Sequence, residues 1–209
     1  MFRSIPRKRR WYLATLRAQV KAADKGGRIP SMPDARVLNT ARLSGRPITD
    51  TDFGRIRSIH SDARAATTLS VDGRPFSRAH TRQSVHSWKL HWDDHGFGVW
   101  LFHKLDGDFV GYAGAMHASV EGKPEVEVLY ALRPDFWGDN FATEMARAVV
   151  RFVFERLRLM ELVAFTLPTN VASRRVMEKC GFEYEKEIAH AGLPHVLYRL
   201  PEQRFRKTT

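Results

Sequence analysis

Cysteine is almost missing from this chain. Cys180 stands alone, which excludes an intrachain disulfide and suits a reducing compartment. Beside Gly181-Phe182 its thiol reads as a small core filler, not a nucleophile. No apolar run approaches the ~20 residues that a bilayer span requires. Nor does a secretory pattern open the chain, because its early apolar run is short and broken by Arg17. A cytoplasmic protein with no membrane partner is therefore expected. Internal repeats and low-complexity tracts are absent as well. His86, His91 and His95 have no paired carboxylates or cysteines, so a solvated helix face accounts for them and no metal is expected.

Apolar residues make up 43% of the 209 positions, enough for one buried core plus an extension. Lys and Arg outnumber Asp and Glu by 34 to 23, but the excess is local. Residues 1–28 hold nine Lys/Arg against Asp24 alone, and the remainder is nearly balanced. We read residues 1–33 as a basic arm and linker, with Gly26-Gly27 and Pro30-Ser-Met-Pro33 closing it, and 34–209 as the globular domain. Such an arm touches RNA or the ribosome, or stays solvated. Its Arg-rich, acid-poor start also has the look of an organelle presequence.

The rest is organised around residues 126–143. Val126, Val128, Tyr130 and Leu132 alternate as one face of a strand. Arg133-Pro134-Asp135 breaks it, since proline offers no ladder donor and restricts its predecessor. An amphipathic helix follows, its buried face marked by Ala142, Met145, Ala146, Val149, Val150, Val153 and Leu157. Glu144, Arg147, Arg151 and Glu155 take the other face, spaced to pair with one another. The strand-to-helix turn at 137–143 is an anion site in outline: free N–H groups at the positive end of a helix dipole. Gly138 permits positive φ, and Asn140 is the non-glycine residue best able to adopt it.

Around this unit, residues 37–48 read as a first strand, 52–60 and 77–94 as helices, and 61–75 as a polar loop. Strands at 96–103 and 109–117 flank the tight-turn signal Asp106-Gly107. After the long helix come a buried strand at 161–168, a short helix at 170–179 closed by Gly181, and strands at 182–187 and 196–200.

Three segments, Arg133-Pro-Asp-Phe-Trp-Gly-Asp-Asn-Phe-Ala-Thr-Glu144, Asn170-Val-Ala-Ser173 and Lys179-Cys-Gly-Phe182, together resemble the GCN5-related N-acetyltransferase (GNAT) superfamily. The likeness is nearest to its RimJ/RimL-type branch and runs from about Thr40 to Leu200; Thr40-Ala-Arg-Leu-Ser-Gly-Arg-Pro47 resembles that branch's opening strand, with Gly45 in place of an apolar residue. The resemblance implies an α+β fold: a mostly antiparallel mixed sheet of six to seven strands, splayed between its fourth and fifth, with about four helices. It implies acetyl-CoA as co-substrate and a primary amine as acceptor, either a protein N-terminus or a small molecule. Transfer would be by direct attack in a ternary complex. A GNAT fold that only holds CoA, or works as an RNA- or ribosome-associated module, is the competing reading. Monomer and homodimer are both open.

By the same resemblance, main-chain groups of Leu129, Tyr130, Ala131 and Leu132 face the pantetheine arm. Gly138, Asp139, Asn140, Phe141, Ala142 and Thr143 hold the pyrophosphate, and Asn170 and Ser173 lie near the thiol end. Glu127 is the candidate base and Ser173 the candidate proton donor, because Met177 stands where many relatives place a tyrosine acid. Trp88, Trp92, His195 and Tyr198 are expected to border the acceptor. The chain departs from the family signature at Trp137 and Asn140, and Asp139 sets a carboxylate beside the anion site.

Overall fold

The computed structural model describes residues 36–70 and 72–208. The arm read at residues 1–33 lies outside them. One eight-stranded sheet runs in the order β1-β2-β3-β4-β5-β6-β8-β7. Its strands are β1 Leu38–Asn39, β2 Leu43–Pro47, β3 Val99–Lys104, β4 Phe109–Val120, β5 Lys123–Leu132, β6 Glu161–Thr166, β7 Glu183–His190 and β8 Leu193–Pro201. Every neighbouring pair is antiparallel except β5 and β6. The α-helices are α1 Phe53–His60, α2 Ala63–Leu69, α3 Arg78–His95, α4 Phe141–Phe152, α5 Val171–Lys179 and α6 Glu202–Thr208.

The α+β class is as expected, with one more strand and two more helices than anticipated. The extra strand arises because residues 37–48 fold as two. Thr40 closes the turn between them: its N–H donates to Leu43 O at 2.9 Å and its hydroxyl accepts from Leu43 N at 2.9 Å. The stretch read as loop contains α2, capped by Asp62, whose Oδ1 accepts from Arg64 N at 2.8 Å. Only Ala65 and Ala66 of that helix are buried, too small a pair to print a period on the sequence. Residues beyond Pro201 form α6, which sets Phe205 against Phe154 with ring centroids 5.0 Å apart.

Helix α4 lies over β4 and β5 and buries Met145, Ala146, Val149 and Val150, as its spacing requires. It widens into a π-turn at Val153–Leu157 and stops at Arg158 in the left-handed region. Two of its polar residues find partners elsewhere. Glu144 accepts from the Thr40 hydroxyl at 2.6 Å and from Arg42 Nε at 2.7 Å, and Arg147 donates to Lys179 O at 2.6 Å. The first turn of α4 is thus pinned to the β1–β2 turn and to the end of α5.

Asp52 is the one fully buried carboxylate among the described residues. Burial alone would raise its pKa, but Arg46 and the Thr49 N–H and hydroxyl outweigh it and hold the carboxyl at about 2. A folded pKa below the unfolded value gives stability that is present above about pH 4 and lost as pH falls through 2. Asp52→Ala leaves the Thr49 N–H without its acceptor and Arg46, which is part-exposed, without its partner, and is expected to cost about 2–3 kcal/mol. Thermal melts at pH 7 should fall by roughly 10 °C, with a smaller gap at pH 2.5.

Candidate active site

Strands β5 and β6 touch in register at one pair, Glu127 with Val163. Beyond it they diverge, and the wedge opens into a cleft of about 580 Å³. Residues 127–132 of β5 form one wall, the first turn of α4 and the start of α5 another, and Phe165, Thr166 and His195 the third. Thr68 and Ser70, at the end of α2, close the side. The close approach of β4 behind β5 depends on Gly111: a Cβ there would sit 2.3 Å from Ala131 O.

One end of the cleft is built for an anion. Gly138 takes φ +93° and Asn140 φ +64°, so the chain enters α4 through two left-handed residues. Asn140 makes no side-chain cap, and among the described residues the N–H groups of Phe141, Ala142 and Thr143 have no acceptor. The Thr143 hydroxyl is buried on this turn with no hydrogen-bond partner, the only side-chain polar atom so placed among the described residues. Lys179, on the cleft wall, donates from Nζ to Asn140 Oδ1 at 3.0 Å and brings a cation to the helix start. Asp139 is exposed and does not line the cleft; its main-chain oxygen accepts from Arg42 Nη2 at 3.1 Å. Unpaired amides, an orphaned hydroxyl and a lysine fit the diphosphate of coenzyme A.

The other end holds Glu127. Among the described residues its carboxyl has no hydrogen bond or ion pair, and burial pushes it up to about 8. Glu125, two residues earlier on the same face, differs: Arg199 grips it at 2.8 and 3.2 Å while also reaching Glu161 and Glu185. Across the cleft, the Tyr130 hydroxyl lies 2.9 Å from Ser173 Oγ and 3.0 Å from Ser173 O. Burial, the leading effect, raises the Tyr130 phenol and keeps it protonated. Asn170 caps α5, accepting from Ser173 N at 3.1 Å, and lies 3.4 Å from Thr68 O. His195 packs edge-on to Phe165 and to His190. Cys180 is a core filler, its thiol pushed up to about 12 by burial.

The cleft brings together Glu127, Leu129, Tyr130, Ala131, Leu132, Gly138, Asn140, Phe141, Ala142, Thr143, Asn170, Ser173 and His195. Four residues expected at the site fall outside its lining. Asp139 is exposed, as described. Trp92 is core: it packs on Trp100 and donates from Nε1 to Val99 O at 2.9 Å. Trp88 packs on Tyr112 and His60 instead of reaching the cleft. Tyr198 is buried under α5, bonded to Arg174 Nε and Glu178 Oε1 at 3.1 Å each. His91 is also corrected: it is buried, not on a solvated face. Lys179, Phe165, Thr166 and Ser70 were not singled out from the sequence. Lys179 alone had a signal, since it opens the Lys-Cys-Gly-Phe motif.

Comparison with known proteins gives a consistent family. Residues 42–183 match the model described as an acetyltransferase (GNAT) domain. The FsC-acetyl coenzyme A-N(2)-transacetylase of Aspergillus fumigatus is 32% identical over 155 residues, covering 70% of this chain. This chain spans 65% of that relative's length. An acetyltransferase crystal structure from Agrobacterium tumefaciens superposes with a TM-score of 0.70 at 25% identity, over 83% of this chain and 99% of that one. RimL, a ribosomal alpha-N-protein acetyltransferase solved with coenzyme A, shares the fold at TM-score 0.65 and 16% identity, over 79% of this chain and 97% of its own. With its cleft between diverging parallel strands and the family model matched over most of its length, this chain belongs to the GNAT family of acetyltransferases.

Proposed function

We propose that this protein transfers an acetyl group from acetyl-CoA to a primary amine by direct attack in a ternary complex. Acetyl-CoA, when bound, supplies an acetyl group activated as a thioester. The α4 first turn, Thr143 and Lys179 hold its diphosphate, and the opened edge of β5 offers main-chain groups to the pantetheine arm. Glu127 takes the proton that the amine sheds, and a carboxyl held near 8 is matched to that work at neutral pH. Ser173 Oγ, bonded to the Tyr130 hydroxyl, donates a hydrogen bond to the departing sulfur, which leaves as the thiolate and takes its proton from water. Much of the rate comes from holding amine and thioester together between Glu127 and Ser173.

The observation that carries this reading is the single unpaired carboxyl in a cleft whose far end is an anion cradle. The acceptor side, with Glu127, Phe165, His195, Thr68 and Ser70, suits an uncharged amine on a polar carrier. The fungal relative's name, an N(2)-transacetylase, and RimL's alpha-N-protein acetylation both support transfer to nitrogen. The test is thiol release from acetyl-CoA over a panel of N-terminal peptides, aminoglycosides and small amines. Saturable release with at least one acceptor is expected. Tight CoA binding with no release from any of them would leave a silent CoA-holding module instead.

A further inference from the structure

Away from the cleft, His91, His95 and His117 bring one ring nitrogen each to within 4.8 Å of one another. His91 and His95 are four apart on α3, so both rings leave the same face of the helix. His117 comes from β4, beyond the point where β3 stops pairing with it. The three rings form a triangle with centroids 4.4 to 5.2 Å apart. His91 Nε2 lies 3.1 Å from His117 Nδ1, close to the spacing of two nitrogens sharing a metal ion at ~2.1 Å each.

The environment of His91 fixes which nitrogen faces the others. Its Nδ1 donates to Phe97 O at 2.7 Å, which leaves the Nε2 lone pair aimed at His117. A backbone carbonyl on the far nitrogen is the usual way a protein orients a metal-binding imidazole. Nε2 now accepts from His117 N at 3.1 Å. An ion bound at Nε2 takes the place of that contact. The site lies at the C-terminal end of α3, where the helix dipole favours a cation. Burial grades from His91, which is buried, through His95 to His117, which is exposed.

We propose that His91, His95 and His117 bind one first-row divalent transition-metal ion of the zinc, cobalt or nickel class, with water completing the coordination. Imidazole-only ligation selects these ions over calcium and magnesium, which take oxygen ligands. The ion ties the end of α3 to β4. His117 follows Met116, which pairs in register with Glu127, so the tie braces the strand behind the candidate base. This role is structural and does not depend on the acetyl-transfer reading.

The test uses the full chain without an affinity tag, stripped with chelator and titrated with Co²⁺ while visible absorption is followed, and with Zn²⁺ by calorimetry. One equivalent should bind with micromolar or tighter affinity, with d–d bands of a four- or five-coordinate ion, and the melting temperature should rise. His95→Ala and His117→Ala should each weaken binding at least about tenfold. Neither replaces a fully buried side chain, so both variants should fold. His86→Ala, on the same helix outside the triangle, should bind like the parent. Absence of a one-to-one site in the parent, or equal affinity in the His95 and His117 variants, overturns the proposal.

Discussion

Glu127→Gln is expected to lower kcat by about 100- to 1000-fold while leaving the dissociation constant of CoA within about threefold. The two outcomes separate because the variant keeps size and cleft shape but removes the carboxylate at that end. The pH profile should change as well. In the parent, kcat/KM should climb as the Glu127 carboxyl ionises through about 8, and the variant should lack that limb. Stability should move the opposite way. A carboxyl whose folded pKa lies above its unfolded value of about 4.3 is most favourable to folding when protonated. Its contribution is therefore whole below pH 4 and is lost as pH rises towards 8. The neutral glutamine escapes that loss. Water in the open cleft reduces the full shift, so the variant should gain about 2 kcal/mol at pH 9 and nothing at pH 4. Melting curves at the two pH values check the sign. Turnover within threefold of the parent would place the base elsewhere.

Much of the fold is legible in residue order because its signals are local. Helix α4 writes its period through Met145, Ala146, Val149 and Val150, and the β3–β4 hairpin is announced by Asp106-Gly107, with Gly107 at φ +102°. The turn into α4 is equally local. Asn140 and Gly138 are residues that tolerate positive φ, and both adopt it. What escaped is either too short to have a period or held by distant partners. Helix α2 buries two alanines, and α6 is held by Phe205 meeting Phe154 far back in the chain.

The same division runs through the site. Glu125 and Glu127 look alike in the sequence, since both sit on one face of one strand. The difference is made by Arg199, 74 residues from Glu125, which neutralises the first and leaves the second alone. Tryptophans on a helix read identically whether they face a ligand or the core. Trp92 turns inward because Gly98 leaves room for it: a Cβ there would lie 2.7 Å from Trp92 Cδ1. His91 is held locally by Phe97 O, but its Nε2 meets a residue far along the chain. Its role depends on a strand 26 residues away. Lys179 was visible as a motif letter, but only the fold brings its ammonium to Asn140.

Ala142→Asp should weaken CoA binding by about 100-fold or more without loosening the fold, a combination that a merely structural turn would not produce. Position 142 is in the first helical turn of α4, half-exposed and on the cleft wall. An aspartate in that turn meets the positive end of the dipole and its uncapped amides, which should stabilise the helix by about 0.3–1 kcal/mol. A diphosphate in the same place competes for the same amides and is repelled by the carboxylate. At ~5 Å and an effective dielectric of ~20 the repulsion is about 3 kcal/mol per charge. Helix stability and ligand affinity therefore change in opposite directions. Lys179→Ala, which removes one cation and leaves the amides, should cost about tenfold, and its effect should shrink as salt is raised. Calorimetry with CoA reads the affinities and thermal melts of the free protein read the stability. A variant that melts higher yet binds CoA as the parent does would mean that the first turn of α4 holds no phosphate, and the assignment of the cleft would fail with it.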